Sequence, residues 1–112
     1  MNCEFRYSPA FLKAAKTLAK RYPSLKNDLE ELRRSLSENP LQGIDLGGNL
    51  RKIRMSIKSK GRGKAGGARV ITFNVVVSSQ EAVIALVYIY DKADASSVKN
   101  EVMRGIVTEM GL

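Results

Sequence analysis

Apolar residues near the start of the chain recur at the spacing of a helix. One stripe consists of Phe11, Ala14, Ala15, Leu18 and Tyr22. Ser8 is a suitable N-cap for this helix, and Pro9 suits its first position because the fixed φ fits a helix and the missing N–H needs no partner there. Pro23 then ends the helix.

A second apolar stripe follows directly. It consists of Leu25, Leu29, Leu32 and Leu36. Ser24 can cap this second helix, and the pair Asn39-Pro40 ends it. Two helices joined by so short a break are expected to form an antiparallel hairpin whose apolar stripes are covered by a sheet.

The apolar period changes to two in the second half of the chain. In the segment 50–58, every second residue from Ile53 to Ile57 is apolar and the residues between are polar or basic, which predicts a strand with one apolar face and one basic face. The runs 68–77 and 82–90 are rich in β-branched and aromatic residues. They are predicted to form a central antiparallel hairpin. In both runs, the side chains that point to either face of the sheet are apolar, which indicates that both sheet faces are covered.

Three further segments complete the predicted order. Residues 4–7 form a short first strand, and residues 43–48 (GIDLGG) are a turn-rich connector. A final amphipathic helix, expected to cover the second face of the sheet, is indicated by Val98, Val102, Ile106 and Met110. The order β-α-α-β-β-β-α is that of an α+β domain with an antiparallel sheet and an N-terminal helical hairpin.

The composition fits one globular domain. A chain of 112 residues is long enough to bury a core, so residues 1–112 are interpreted as a single domain. The only cysteine, Cys3, suits a reducing compartment better than secretion. The chain starts without the continuous apolar stretch of a signal peptide, and its longest apolar run, 82–90, is too short to span a bilayer. We therefore expect a cytoplasmic protein with no membrane partner.

The net charge of +8 is concentrated in one segment. Between Leu46 and Gln80 there is no Asp or Glu, and outside this segment 11 basic residues balance 11 acidic ones. The cations within it are Arg51, Lys52, Arg54, Lys58, Lys60, Arg62, Lys64 and Arg69. Such a segment indicates a polyanionic ligand or an acidic partner. The alternative is a solubilising loop, although solubility does not require acids to be excluded from the whole segment.

Several kinds of site are excluded by the residue types present. Gly61, Gly63 and Gly66 match the G-x-G-x-x-G pattern, but the segment that follows is a predicted strand, whereas a dinucleotide site needs a helix there. The chain has no histidine, and its acids and single cysteine lack metal-ligand spacing. We expect neither a metal site nor a cofactor, so any catalysis must use Lys, Arg, Tyr or Asp.

Phosphodiester transfer suits this set of side chains. Its transition state spreads negative charge over the phosphoryl oxygens, and a well-placed cationic donor stabilises such charge by ~3 kcal/mol. In RNA the 2′-hydroxyl is a built-in nucleophile, and a lysine close to other cations can serve as the base. Lys52 and Arg54, two residues apart on one strand face, form such a pair. The alternative is that both only contact phosphate or belong to a solvated strand face.

The chain resembles a known family in the order and spacing of three short motifs. KIR (52–54), GGARVI (66–71) and YIYDK (88–92), preceded by a helical hairpin that ends in NPLQG, are similar to the RelE-type toxins of bacterial and archaeal type II toxin-antitoxin systems, in the RelE/ParE superfamily. The likeness covers nearly the whole chain. It implies a RelE-like toxin domain that acts as a ribosome-dependent mRNA endonuclease, or mRNA interferase. Such a toxin inhibits translation by 2′-hydroxyl attack on mRNA in the ribosomal A site.

The resemblance also implies roles for particular residues. Lys52 is the expected base, Arg54 a phosphate clamp and Arg69 a stabiliser of transition-state charge. Tyr90 and Lys92 are candidates for protonating the leaving group or binding phosphate. Alternation alone leaves open whether Arg69 shares a face with Lys52, and a bulge near residues 66–67 could bring them together.

The glycine-rich segment from Lys58 to Gly67, here called the basic loop, is assigned to contacts with the backbone of mRNA or ribosomal RNA, because glycine lets a chain approach phosphates closely. The residues assigned to RNA binding are Arg51, Lys58, Lys60, Arg62 and Lys64. The expected protein partner is an acidic, partly disordered antitoxin that lies over the sheet and helices in a hetero-oligomer. Two alternatives stay open: a ParE-like toxin that inhibits DNA gyrase, and a non-catalytic RNA-binding protein.

Overall fold

Five strands form one mixed sheet with helices on both of its faces. A computed structural model describes residues 2–112. In chain order its elements are β1 (Asn2–Tyr7), α1 (Pro9–Arg21), α2 (Leu25–Glu38), β2 (Ile44–Gly47), β3 (Leu50–Met55), a 3₁₀ turn (Lys58–Lys60), β4 (Ala68–Val76), β5 (Glu81–Asp91) and α3 (Asn100–Glu109). The strands lie side by side in the order β1-β5-β4-β3-β2. The predicted α+β class is confirmed.

The direction of the first strand differs from the prediction of an antiparallel sheet. β1 runs parallel to β5, with Asn2 opposite Glu81 and Tyr7 opposite Leu86, whereas the other strand pairs are antiparallel. Alternation along a strand encodes which side chains face the core, but it encodes neither the neighbouring strand nor its direction. The parallel pairing was therefore not accessible from the apolar pattern.

The predicted connector at residues 43–48 contains a strand. Its residues 44–47 form β2, which pairs with β3 so that Ile44 lies opposite Lys52. The glycines that indicated a turn serve this pairing, since a Cβ on Gly43 would come within 2.6 Å of the carbonyl oxygen of Lys52. Gly43 also has a φ of +94°, which an L-residue rarely adopts. The glycine thus permits close approach to β3.

The two N-terminal helices begin as predicted but are fixed differently. The Ser8 hydroxyl accepts a hydrogen bond from the backbone N–H of Phe11 at 2.9 Å and donates one to the carbonyl of Val87 at 2.6 Å, which confirms Ser8 as the cap of α1. The Ser24 hydroxyl instead donates to the buried carboxylate of Asp28 at 2.7 Å and caps no backbone N–H. The start of α2 is therefore fixed by a side-chain contact.

One face of the sheet, here called the α1 face, packs against α1 and α2. The predicted stripes of both helices are confirmed, with Leu29, Ala14, Ala15 and Tyr22 only partly buried. The buried residues of this layer are Phe11, Leu18, Leu25, Leu32, Leu36, Ile53, Met55, Ile57, Ala68, Val70, Ile84, Leu86 and Ile89.

The opposite face, here called the α3 face, is covered by the C-terminal helix, as the apolar second phase of the strands indicated. The buried residues of this layer are Leu50, Ile71, Ala85, Val87, Tyr90, Met103 and Val107. Of the stripe predicted for this helix, Val98, Ile106 and Met110 pack against this layer, whereas Val102 is 52% exposed and Met103 and Val107 are buried instead. The prediction fails at one position because a strict spacing of four drifts around a helix that has 3.6 residues per turn.

The sheet and its three helices form one body. The radius of gyration is 13.2 Å, close to the ~13 Å expected for a single domain of this length. Within residues 2–112, no helix combines the length and the apolar character needed to cross a membrane.

Candidate nucleic-acid interface

The strand register brings predicted catalytic residues from three strands onto the α3 face. Arg54 of β3 lies opposite Arg69 of β4, and Arg69 lies opposite Tyr90 of β5. Directly opposite residues of antiparallel strands share a face, with Cα atoms ~5 Å apart. Lys52 is two residues from Arg54, so it lies on the same face ~7 Å along the strand. These four residues therefore form one group.

No bulge near residues 66–67 is needed for this arrangement. The register shift between β4 and β5 falls further along, between Ile71 and Thr72, and leaves Val87 as the extra residue. Arg69 pairs across to Arg54 in regular register. The open question of its strand phase is thus answered in favour of the α3 face.

Two cations of the group are accessible. The Arg54 side chain is exposed and Lys52 is half-buried. Throughout the region that the structure describes, neither has a carboxylate oxygen within 4 Å. Their positive charges are therefore free to meet an external anion.

Arg69 is used mainly to hold the basic loop. Its side chain is buried, and its Nη1 donates to the carbonyls of Lys64 at 3.0 Å and Ala68 at 3.3 Å. Its Nη2 donates to the carbonyl of Ala65 at 3.1 Å. Of its five N–H groups, only Nε–H and one on Nη2 make no hydrogen bond in residues 2–112. These contacts favour a positioning role for Arg69.

Tyr90 carries a buried hydroxyl at the end of the row. Only 6% of the residue is exposed, and its hydroxyl has no hydrogen-bond partner among residues 2–112. Burial raises the pKa of Tyr90, and the nearby positive charge of Arg69 lowers it by less. The phenol is thus protonated at neutral pH and is able to donate a proton. Its ring stacks on Tyr88, with centroids 6.3 Å apart.

Lys92 lies just past the end of β5, close to this row. Its backbone N–H donates to the carbonyl of Gly67 at 3.0 Å, which ties the end of β5 to the start of β4. The side chain is half-buried and has no ion pair within the described part of the chain. It remains a candidate for contact with a phosphate.

Three of the five residues assigned to RNA binding make contacts within the protein. Arg51 points to the α1 face, where its guanidinium donates to the carbonyls of Gln42 and Gly43 at 3.1 and 3.0 Å. The ammonium of Lys58 lies 2.7 Å from the carboxylate of Glu31, and the hydrogen bond that it donates to that carboxylate raises the pKa of Lys58. Lys60 is also paired with a carboxylate, that of Asp91.

Lys60 joins a buried ion-pair network that local sequence patterns could not predict, because its members lie far apart along the chain. Its ammonium lies 2.6 Å from the fully buried carboxylate of Asp91, which also accepts from Arg21 at 3.1 Å and from the Tyr22 hydroxyl. Burial would raise the pKa of Asp91, but hydrogen bonds from Lys60, Tyr22 and the N–H of Ala93 outweigh burial and hold the pKa well below its ordinary value. Asp91 belongs to the YIYDK motif, yet its phase is opposite to that of Tyr90.

Arg62 and Lys64 are the members of the RNA-binding set that are exposed and have no ion pair within the described part of the chain. Their loop is held from both sides, because Lys60 bonds to Asp91 and Arg69 bonds to the carbonyls of residues 64 and 65. The loop therefore presents these two side chains from a fixed backbone.

A groove reaches the two tyrosines from the side of α1. Its volume is about 560 Å³, and it lies between α1, the end of β5 and residues 94–98. β1 pairs with β5 only as far as Leu86, so the last residues of β5, including Tyr88 and Tyr90, border the groove. Among residues 2–112, no group of three or more His, Cys, Asp or Glu side chains is placed to hold a metal ion.

No protein-family model matches the chain, and a search of curated proteins found no significant match. The chemistry of the α3 face is therefore the main indication of function.

Proposed function

We propose that the protein is the toxin of a type II toxin-antitoxin system, a RelE-type mRNA endonuclease that works on the ribosome in the cytoplasm. One observation supports this most: Lys52, Arg54 and Tyr90 share a face of the sheet, and Arg69 lies between Arg54 and Tyr90. Free cations on the same face as a protonated phenol suit the cleavage of RNA without metal or histidine.

In the proposed reaction, the Lys52 amine accepts the proton of an RNA 2′-hydroxyl. The 2′-oxygen attacks the adjacent phosphorus, and the bond from phosphorus to the 5′-oxygen of the next nucleotide breaks. Tyr90 or Lys92 gives a proton to that 5′-oxygen, and the products are a 2′,3′-cyclic phosphate and a 5′-hydroxyl. Arg54 faces the non-bridging oxygens, where charge accumulates. Arg69 holds the loop and contributes its remaining N–H groups.

The proposed partner is an acidic antitoxin that covers the free cations when the toxin is silent. Lys52, Arg54, Arg62 and Lys64 have no internal carboxylate partner within residues 2–112. An acidic segment would supply the missing charge and block access of RNA to the face. A partner without acidic excess would contradict this part of the proposal.

The test is to induce the chain alone in cells and to map mRNA 5′ ends by primer extension. The wild type should arrest translation and create new ends in translated messages. The variant Lys52→Ala/Arg54→Ala should remove both effects, whereas a control that loses two exposed cations elsewhere, Lys26→Ala/Lys99→Ala, should retain them. New ends from the double variant would refute the site. DNA damage with intact mRNA would point to gyrase inhibition instead.

A second candidate is a non-catalytic RNA-binding protein, and the contacts of Arg69 favour it. Most of the guanidinium donors of Arg69 are occupied by loop carbonyls, so fewer remain for transition-state charge. This candidate predicts RNA binding that weakens steeply with salt and yields no new mRNA ends. The same primer-extension experiment separates the two.

A further inference from the structure

A second cationic surface lies on α1, on the layer opposite to the α3 face. Between Glu4 and Asp28 the chain has six Lys and Arg residues and no acid. Three of these cations, Lys13, Lys16 and Lys20, recur at spacings of three and four and are exposed. They therefore form one row along the outer side of the helix, here called the α1 lysine row.

The stability of the helix does not account for the row. Within residues 2–112, none of the three ammonium groups has a carboxylate within 4 Å. Lys16 has Lys13 three residues before it and Lys20 four residues after it, and like charges at these spacings destabilise a helix. Only Lys20 lies in the last turn, where the helix dipole favours a cation. A neighbouring cation, Arg21, is already paired with Asp91 and Asp94.

The chemistry of the row fits phosphates better than a protein surface. The core of a protein interface is apolar and depleted of lysine, and Leu12 is the one large apolar side chain exposed on α1. The helix has no exposed aromatic side chain on which an unpaired base could stack, since Phe11 is buried. Ammonium groups without apolar or stacking contacts suit phosphates, and contacts to phosphates carry no sequence information.

The length of the row matches a regular phosphate backbone. Seven residues of helix separate Lys13 from Lys20, which places their Cα atoms ~10 Å apart. A duplex carries one phosphate per ~3.4 Å of axis on each strand, so the row covers about three phosphates. A rigid helix holds the three charges in line, as the backbone of a duplex requires.

We propose that the α1 lysine row is a docking surface for the phosphate backbone of double-stranded RNA, separate from the α3 face. The two surfaces differ in chemistry: the α3 face combines free cations with the half-buried Tyr88, and the row offers cations alone. The assignment of the α1 lysine row to helices of ribosomal RNA rests on the proposed function. The binding of duplex RNA by the row does not rest on it, because binding is measured without cleavage.

The experiment measures the affinity of the full chain for two probes over a range of salt concentrations. The probes are an RNA hairpin with a stem of arbitrary sequence and an unstructured RNA of the same length. In the variant Lys13→Gln/Lys16→Gln/Lys20→Gln, the affinity for the hairpin should fall roughly tenfold at low salt, and the slope of log K against log salt should become shallower by about 3. The affinity for the unstructured RNA should change little.

A control variant of equal charge loss separates position from net charge. It replaces exposed cations outside the row: Lys26→Gln/Arg34→Gln/Lys99→Gln. Circular dichroism should show both variants folded, since Gln keeps helix propensity and the row variant loses its like-charge pairs. An equal loss of hairpin affinity in the control, or none in the row variant, would overturn the proposal. So would tighter binding of polyglutamate than of the hairpin, which would indicate an acidic protein instead.

Discussion

Two consecutive residues at the end of β5 have opposite environments. Tyr90 points to the α3 face with a hydroxyl that has no partner among residues 2–112, whereas Asp91 points to the α1 face and is fully paired. A buried polar group without a hydrogen bond costs stability, and a buried carboxylate with several donors is strongly held in its charged form. Asp91 thus stabilises the fold through its contacts, whereas the hydroxyl of Tyr90 makes no such contribution within residues 2–112.

Replacement of Tyr90 should separate activity from stability. Tyr90→Phe removes a hydroxyl that has no protein partner, so the free energy of unfolding should rise by about 1 kcal/mol. Loss of the proton donor should lower the cleavage rate by ~10² or more. Chemical denaturation and a single-turnover cleavage assay measure the two effects. Unchanged cleavage would transfer the role of the acid to Lys92.

Replacement of Asp91 should lower the free energy of unfolding strongly, whereas replacement of Asp94, which belongs to the same network, should not. Asp91→Asn leaves Lys60 without its buried counter-charge and should cost about 3 kcal/mol in urea denaturation. Asp94→Asn removes an exposed carboxylate that also contacts Arg21, and it should cost at most about 0.5 kcal/mol. Equal effects of the two variants would contradict the importance of burial.

The network should also give the protein a characteristic loss of stability in acid. The pKa of Asp91 is lowered by folding, so its contribution is fully present above its ordinary value of 3.8 and is lost as the pH falls below that value. Unfolding free energies of the wild type should therefore decrease as pH falls below ~4. Asp91→Asn should show a shallower decrease, and an equally steep one would refute this assignment.

At the level of strands and helices, two glycines affect stability in opposite ways. A Cβ on Gly67, at the entry to β4, would collide with the carbonyl oxygen of Met55, whereas one on Gly105, within α3, would meet no atom within 4 Å. The first glycine allows β3 and β4 to approach closely. The second only weakens its helix, because glycine has the greater freedom in the unfolded chain.

Alanine at these two positions should thus have opposite effects. Gly105→Ala should stabilise the protein by about 0.5–1 kcal/mol. Gly67→Ala should destabilise it by about 2 kcal/mol, since backbone must move to admit the methyl group. Thermal unfolding followed by circular dichroism measures both changes. Stabilisation by Gly67→Ala would show that the entry to β4 is less tightly packed than the structure indicates.

The elements also show the limit of apolar patterning. Their spacing predicted the helical stripes of α1 and α2 and most of the stripe of α3, but the glycines of residues 43–48 concealed β2, and Val102 was assigned to the core although it is exposed. The errors fall where glycine serves close strand approach and where a strict spacing of four departs from the 3.6-residue turn of a helix. Both depend on what the segment packs against.

Across the protein, the basic loop is fixed by contacts that link both layers. Lys60 connects it to Asp91 and through that carboxylate to Arg21 of α1, while Arg69 holds its far end. The loop carries four of the cations expected to bind RNA, yet two of these are neutralised by acids elsewhere in the fold. Of the four loop cations, Arg62 and Lys64 are the two that have no carboxylate partner within residues 2–112.

A fixed loop should resist trypsin despite its many basic residues. Residues 58–64 contain four sites for trypsin, and cleavage in the wild type should be slow because the backbone must open first. Asp91→Asn releases Lys60 and should speed cleavage at this loop several-fold more than cleavage elsewhere. Mass spectrometry of the first fragments locates the sites. Rapid cleavage of the wild-type loop would show that these contacts do not hold it.

The order of apolar and polar residues was enough to establish the α+β class, the covered second face and the concentration of cations, because each is a matter of local spacing. It also placed Lys52 and Arg54 on one side of their strand. Contacts between distant segments settled the rest: the parallel pairing of β1 with β5, the row from Arg54 to Tyr90, and the pairing of Lys60 with Asp91. Such contacts depend on register and strand direction, which periodicity within a single segment does not encode.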